Sequence, residues 1–87
     1  MQGKLAISKS GHDKESLYII IKEESSTVLL ADGKIRTVNK PKRKNKKHIQ
    51  VVENLPQEIS DLINHDREFR NEEIKRVIKL YQKSACN

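Results

Sequence analysis

The residues in this chain best equipped to do chemistry are cationic. Between Arg36 and His48 the sequence reads RTVNKPKRKNKKH, with seven Lys/Arg and no acid: Arg36, Lys40, Lys42, Arg43, Lys44, Lys46 and Lys47. Ammonium and guanidinium groups at this density hold anions, and their self-repulsion is relieved when a polyanion lies against them. A solvated face or an import signal is the plain alternative for such a run. The run is internal, however, and strand-like segments flank it. The other reactive side chains do not assemble into a site. His12 and His48 have no evident nucleophile or carboxylate partner. His12 reads as a turn residue, His65 as a helix-end residue, and Asp13 and Asp32 as turn formers. Cys86 is the single cysteine, so it has neither a disulfide partner nor the Cys/His spacing of a zinc site. The expectation is a non-enzymatic protein with no cofactor, no metal and no small-molecule substrate.

Charge is distributed unevenly along the chain. Residues 1–52 hold twelve Lys/Arg against five Asp/Glu, a balance of +7, whereas residues 53–87 hold six against seven, a balance of −1. The positive field therefore belongs to the N-terminal part and points to a polyanionic partner. Lys75 and Lys79 sit in the balanced part and are expected to matter much less. The aromatic residues are Tyr18, Phe69 and Tyr81. Tyr18 lies in an apolar strand, so the basic half offers no stacking platform for unpaired bases. Recognition through phosphates and helical shape is expected, with little base readout. No helix in the basic half could enter a DNA major groove, which favours structured RNA.

The elements that must hold these cations come in two kinds. With 87 residues there is one domain at most, near the lower size limit for independent folding. Leu5 and Ile7 alternate with polar or small neighbours, a period-two strand signal. Ser10 to Ser16 is turn chemistry. Leu17–Ile21 reads as a central strand, and Thr27–Ala31 as a third. Asp32-Gly33 is a short hairpin signal, which makes Lys34–Val38 the fourth strand. Ile49–Val52 is the fifth. Five short strands with tight turns suggest a small barrel, or else an open antiparallel sheet covered by helices. After Asn54 the period changes. Asn54 and Gln57 fit an N-cap and its N3 partner, and Ile59, Leu62 and Ile63 form an apolar face. Asn71 is a second candidate cap, followed by an amphipathic stripe of Ile74, Val77, Ile78 and Tyr81. The longest apolar run, Leu17–Ile21, is far short of the roughly 20 residues of a membrane-spanning helix. No apolar stretch follows Met1. A cytoplasmic protein making no membrane contact is expected.

The segment Lys9-Ser10-Gly11-His12-Asp13-Lys14, with apolar strands on both sides, resembles the KOW motif. Gly11 matches the motif's glycine, where a tight turn needs positive φ and the backbone must approach a phosphate. The stretch from Leu29 to Arg36 and the end of the basic run, Lys44 to Ile49, resemble the KOW-type large-subunit ribosomal proteins of archaea and eukaryotes and their short bacterial relatives. The resemblance covers residues 3–52 and extends loosely into the helical tail. It implies a mainly β fold: a small five-stranded SH3-like barrel with a basic loop over residues 1–53, and one or two C-terminal α-helices over 54–87 packed on it. It also implies RNA binding and a link to the ribosome or translation, with structured ribosomal RNA and ribosomal proteins as partners of a chain that is monomeric when free. Where the family often has a second glycine this chain has Glu15, so the turn must either relax or carry strain there. The RNA-contact set is then Lys9, Ser10, Gly11, His12 and Lys14 from the turn, with Arg36, Lys40, Lys42, Arg43, Lys44, Lys46, Lys47 and His48 from the basic run. Two other functions fit the same sequence: a protein-interaction KOW module of the transcription machinery, and a nonspecific DNA-binding protein.

Overall fold

The computed structural model describes residues 2–12, 14–65 and 67–85. Asp13, Asp66 and Cys86 lie outside the described residues, and nothing about their roles follows. The elements are β1 (Leu5–Ser8), β2 (Leu17–Glu23), β3 (Thr27–Ala31), β4 (Lys42–Asn45), a 3-10 turn (Lys46–His48), β5 (Ile49–Val51), α1 (Gln57–Ile63) and α2 (Asn71–Ala85). The strands form a five-stranded sheet in the order β4-β3-β2-β1-β5, with every neighbouring pair antiparallel. The fold is mainly β, with two helices.

The hydrogen-bonded ladder is open, because β4 and β5 are its two edges. These edges are nevertheless consecutive in the chain, joined only by the three-residue turn Lys46–His48. In a flat sheet four strand spacings would hold them roughly 19 Å apart. A 3-10 turn rises only about 2 Å per residue, so the sheet must curl strongly to let the chain cross. Part of the curl comes from a bulge in β2, where the β2–β3 register shifts between Ile20 and Lys22. An extra residue in one strand bends it and increases its twist.

Both faces of the curled sheet are buried, which explains why β2 reads as a continuous apolar run. Ala6, Tyr18, Ile20, Val28 and Leu30 form one cluster, with Ile49 and Val51 against it. Leu5, Ile19 and Ala31 point the other way and meet Ile59, Ile74 and Val77 from the helices. Ile78 and Tyr81 complete the stripe, partly buried against that second cluster. Tyr18 is a core residue, 5% exposed. No helix occurs between residues 17 and 38, and among the described residues no helix is long and apolar enough to cross a membrane.

Three expectations need correction. Lys34–Val38 is not a strand. The Asp32 carboxylate accepts the backbone N–H groups of Lys34 and Arg36, both at 2.9 Å, and the Arg36 carbonyl accepts from Asp32 and Gly33. These bonds fold residues 32–36 into a compact turn instead of a hairpin arm. The fourth strand lies later, at Lys42–Asn45, inside the segment expected to be a loop. Finally, neither asparagine caps a helix. Pro56 precedes α1. At α2 the cap position is Arg70, whose N–H donates to Glu73 (2.9 Å), while the Asn71 carboxamide accepts the N–H of Val38 at 2.9 Å.

Candidate nucleic-acid interface

The basic run is not one loop but three pieces with different surroundings. Arg36 to Pro41 is irregular, Lys42–Asn45 is the edge strand β4, and Lys46–His48 is the 3-10 turn. In β4 the register sets direction. Lys42 pairs with Leu30 and Lys44 with Val28, while Arg43 pairs with Leu29. Cross-strand partners point to the same face. Lys42 and Lys44 therefore lie on the face of the buried Val28–Leu30 cluster. Both are half-buried there, which suits long methylene stems ending in a solvated charge. Arg43 lies on the opposite face and is exposed.

Lys44 reaches across the curled sheet. Its Nζ donates to the carbonyl of Ser10 at 2.8 Å. Close by, the N–H of Lys9 donates to the carbonyl of His48 at 2.7 Å, and Ser8 pairs with Ile49. Ser8 Oγ donates to the same Ser10 carbonyl at 3.2 Å. These bonds bring Lys9, Ser10, Lys44 and His48 to one rim of the sheet, and the β1–β2 turn sits on them. Among the described residues of that turn, Gly11 (φ 84°) and Glu15 (φ 73°) are left-handed. The Glu15 N–H donates to Ser8 at 2.8 Å and fixes the conformation. The turn thus keeps the backbone shape expected of a glycine at residue 15 and carries the strain of having a side chain there. His12, Lys14, Lys40 and Lys47 are all exposed.

The acids that the basic run lacks in sequence are supplied by the β2–β3 turn. Lys46 Nζ lies 2.7 Å from Glu23 Oε2 and donates to the Ser25 carbonyl at 3.2 Å. Arg43 Nε lies 3.1 Å from Glu24 Oε1. The hydrogen bond from Lys46 holds the Glu23 carboxyl below its ordinary range. Lys46 and Arg43 are therefore partly neutralised by described residues, and Lys44 donates to the Ser10 carbonyl. Lys9, Lys40, Lys47 and His48 keep their side chains without an ion-pair or hydrogen-bond partner among the described residues.

Two expected site residues lie elsewhere. Arg36 belongs to the Asp32–Arg36 turn, and Lys14 faces a groove against α2, together with Lys34, Lys75, Arg76 and Lys79. Sequence reading missed the last four as a group. The i, i+4 spacing of Lys75 and Lys79 was the available signal, since it puts both on one helix face. Among the described residues no three His, Cys, Asp or Glu side chains converge as metal ligands. In comparison with known proteins the chain matches no family model and no curated sequence.

Proposed function

We propose that this protein is a non-catalytic RNA-binding protein with a KOW-type, SH3-like barrel, acting with ribosomal RNA or the translation machinery. It grips phosphates of structured RNA along the rim formed by β4, the 3-10 turn and the β1–β2 turn. The observation that carries this reading is the bond from Lys44 Nζ to the Ser10 carbonyl. It ties a glycine-containing turn to a lysine-rich edge, so that backbone and cations can approach one phosphate ridge together. The strong curl of the five-stranded sheet supports the barrel. The shortage of exposed aromatic rings supports contact with phosphates over stacking on bases.

Binding must then weaken steeply with salt. Each neutralised phosphate contributes about −0.7 to −0.9 to the slope of log K against log salt. With roughly three or four rim cations engaged, the slope for an RNA hairpin should be about −2 to −4. The test is fluorescence anisotropy across a salt series with the wild type and the variant Lys9→Ala/Lys42→Ala/Lys47→Ala. A flatter slope and weaker binding in the variant support the reading. Unchanged slope and affinity overturn the rim assignment, and a wild type that binds no RNA overturns the reading in favour of a protein-interaction module. Equal slopes and affinities for RNA and duplex DNA would favour nonspecific DNA binding instead.

A further inference from the structure

We propose that α2 and the Asp32–Arg36 turn build a second phosphate-binding face, which takes a further stretch of the backbone of the same RNA. This inference rests on the RNA-binding reading above and extends it to residues outside the basic run.

The groove between the β1–β2 turn, the Asp32–Arg36 turn and α2 is rimmed by Lys14, Lys34, Lys75, Arg76 and Lys79. Among the described residues its acids are Glu15 and Asp32. Asp32 is engaged by the N–H groups of Lys34 and Arg36, which fixes its charge at the base of the turn. None of the five cationic side chains has an ion-pair or hydrogen-bond partner among the described residues. That differs from the rim, where Arg43 and Lys46 face Glu24 and Glu23. Lys75 and Lys79 repel each other at i, i+4, and Lys34 is held near them because Gly33 packs against the first turn of α2. A fold that gathers unpaired cations from three elements gains when a polyanion lies among them.

Two further features favour a nucleic-acid backbone over a small anion. Leu17 and Ile78 also line the groove, offering apolar surface to sugar faces between the phosphates. Beside it, Ile35 is 83% exposed, the one large hydrophobic so exposed among the described residues, and it stands between Lys34 and Arg36 at the tip of the turn. The β1–β2 turn lies between the two faces, with Ser10 bonded to Lys44 on one side and Lys14 in the groove on the other. The longest dimension of the molecule is 30 Å, so an RNA stem of about one helical turn reaches both.

The test is anisotropy with a labelled RNA hairpin over a salt series, using the full chain. Lys34→Ala/Lys75→Ala/Lys79→Ala should bind about tenfold or more weakly at low salt and flatten the slope by about 2. The matching triple arginine variant should keep the wild-type slope, which separates charge from folding. Lys83→Ala, on the same helix outside the groove, should change affinity less than about twofold. Ile35→Ala should weaken binding severalfold with the slope unchanged, because an apolar contact releases no counterions. If the groove triple keeps wild-type affinity and slope while the rim triple loses them, this inference fails and the proposed function stands. If the groove triple loses them and the rim triple does not, the inference stands and the rim assignment fails. If the wild type binds no RNA, both fail.

Discussion

Gly33 lies directly against Asn71: a Cβ on residue 33 would fall 2.5 Å from the Asn71 carbonyl oxygen and 2.9 Å from Lys75 Cγ. The backbone there has φ +82°, a conformation that side chains disfavour. The Asn71 carboxamide meanwhile accepts the N–H of Val38. The turn after β3 is thus clamped onto the start of α2 at two points, and the contact joins the sheet half of the molecule to the helical half.

Gly33→Ala should therefore destabilise the protein by about 2–4 kcal/mol, from the left-handed backbone and the backbone clash together. In a domain of this size that lowers Tm by roughly 10 °C or more, which thermal denaturation followed by circular dichroism would read. An unchanged Tm would mean that the turn is not clamped.

The opposite sign is expected one turn away. Glu15 holds φ 73°, which costs a non-glycine residue about 1–2 kcal/mol. Glu15→Gly relieves this but loosens the unfolded chain by about 0.4–1 kcal/mol. The net effect should be a gain of roughly 0.5 kcal/mol in urea denaturation. Loss of the acid beside the groove should also tighten RNA binding slightly.

Acid should unlock the N-terminus of α2. Glu73 accepts from Arg67 Nη1 and Nη2 at 2.7 and 2.6 Å and from the Arg70 N–H. The Arg67 guanidinium, aided by that N–H and the charge of the nearby His65, depresses its carboxyl from 4.5 to about 2 against the opposing effect of burial. A folded-state value below the unfolded one adds stability that is fully present above about pH 4.5. That stability drains away as pH falls toward about 2. Glu73→Gln should flatten the dependence of the urea midpoint on pH across that window. An equal slope in both proteins would refute the assignment.

Removing acids from the β2–β3 turn should strengthen RNA binding. Glu23 and Glu24 neutralise Lys46 and Arg43 in the free protein. In Glu23→Gln/Glu24→Gln these two cations become available to phosphates, so affinity should rise and the salt slope steepen by up to about 1.5. Folding stability should change little, since such exposed pairs contribute about 0–1 kcal/mol each. Weaker binding in this variant would show that the acids orient the cations productively.

The strands with an apolar face were legible in the sequence: β1, β2, β3 and β5 fall where alternation and β-branched residues put them. β4 was not, because it is an edge strand made of Lys42, Arg43, Lys44 and Asn45. Its inward positions are occupied by lysine stems, which hydropathy counts as polar. The same property hid the candidate interface. A run without acids looked unopposed because Glu23 and Glu24 are distant in sequence and adjacent only through β3–β4 pairing. The helix stripe was read correctly, since Ile74 and Val77 are buried as their spacing requires. The caps were not, because Asn71 spends its side chain on Val38, a long-range contact that no local pattern encodes.

The position of β5 also governs how the chain can assemble. β2 and β3 are joined by a tight turn and can pair early, but β1 gains its second partner only when Ala6 meets Val51 and Ser8 meets Ile49. Closing so long a loop costs chain entropy before any contact repays it, so this pairing should come late and set a folding time nearer milliseconds than microseconds. Conservative core substitutions should then give high φ-values at Ile20 and Leu30 and low ones at Val51; the reverse pattern would place the nucleus at β1–β5. Until that last strand arrives, the rim described above does not exist, because the Lys9–His48 bond forms only as β5 docks. If the rim binds RNA as proposed, its binding surface is complete only once β1 and β5 have paired.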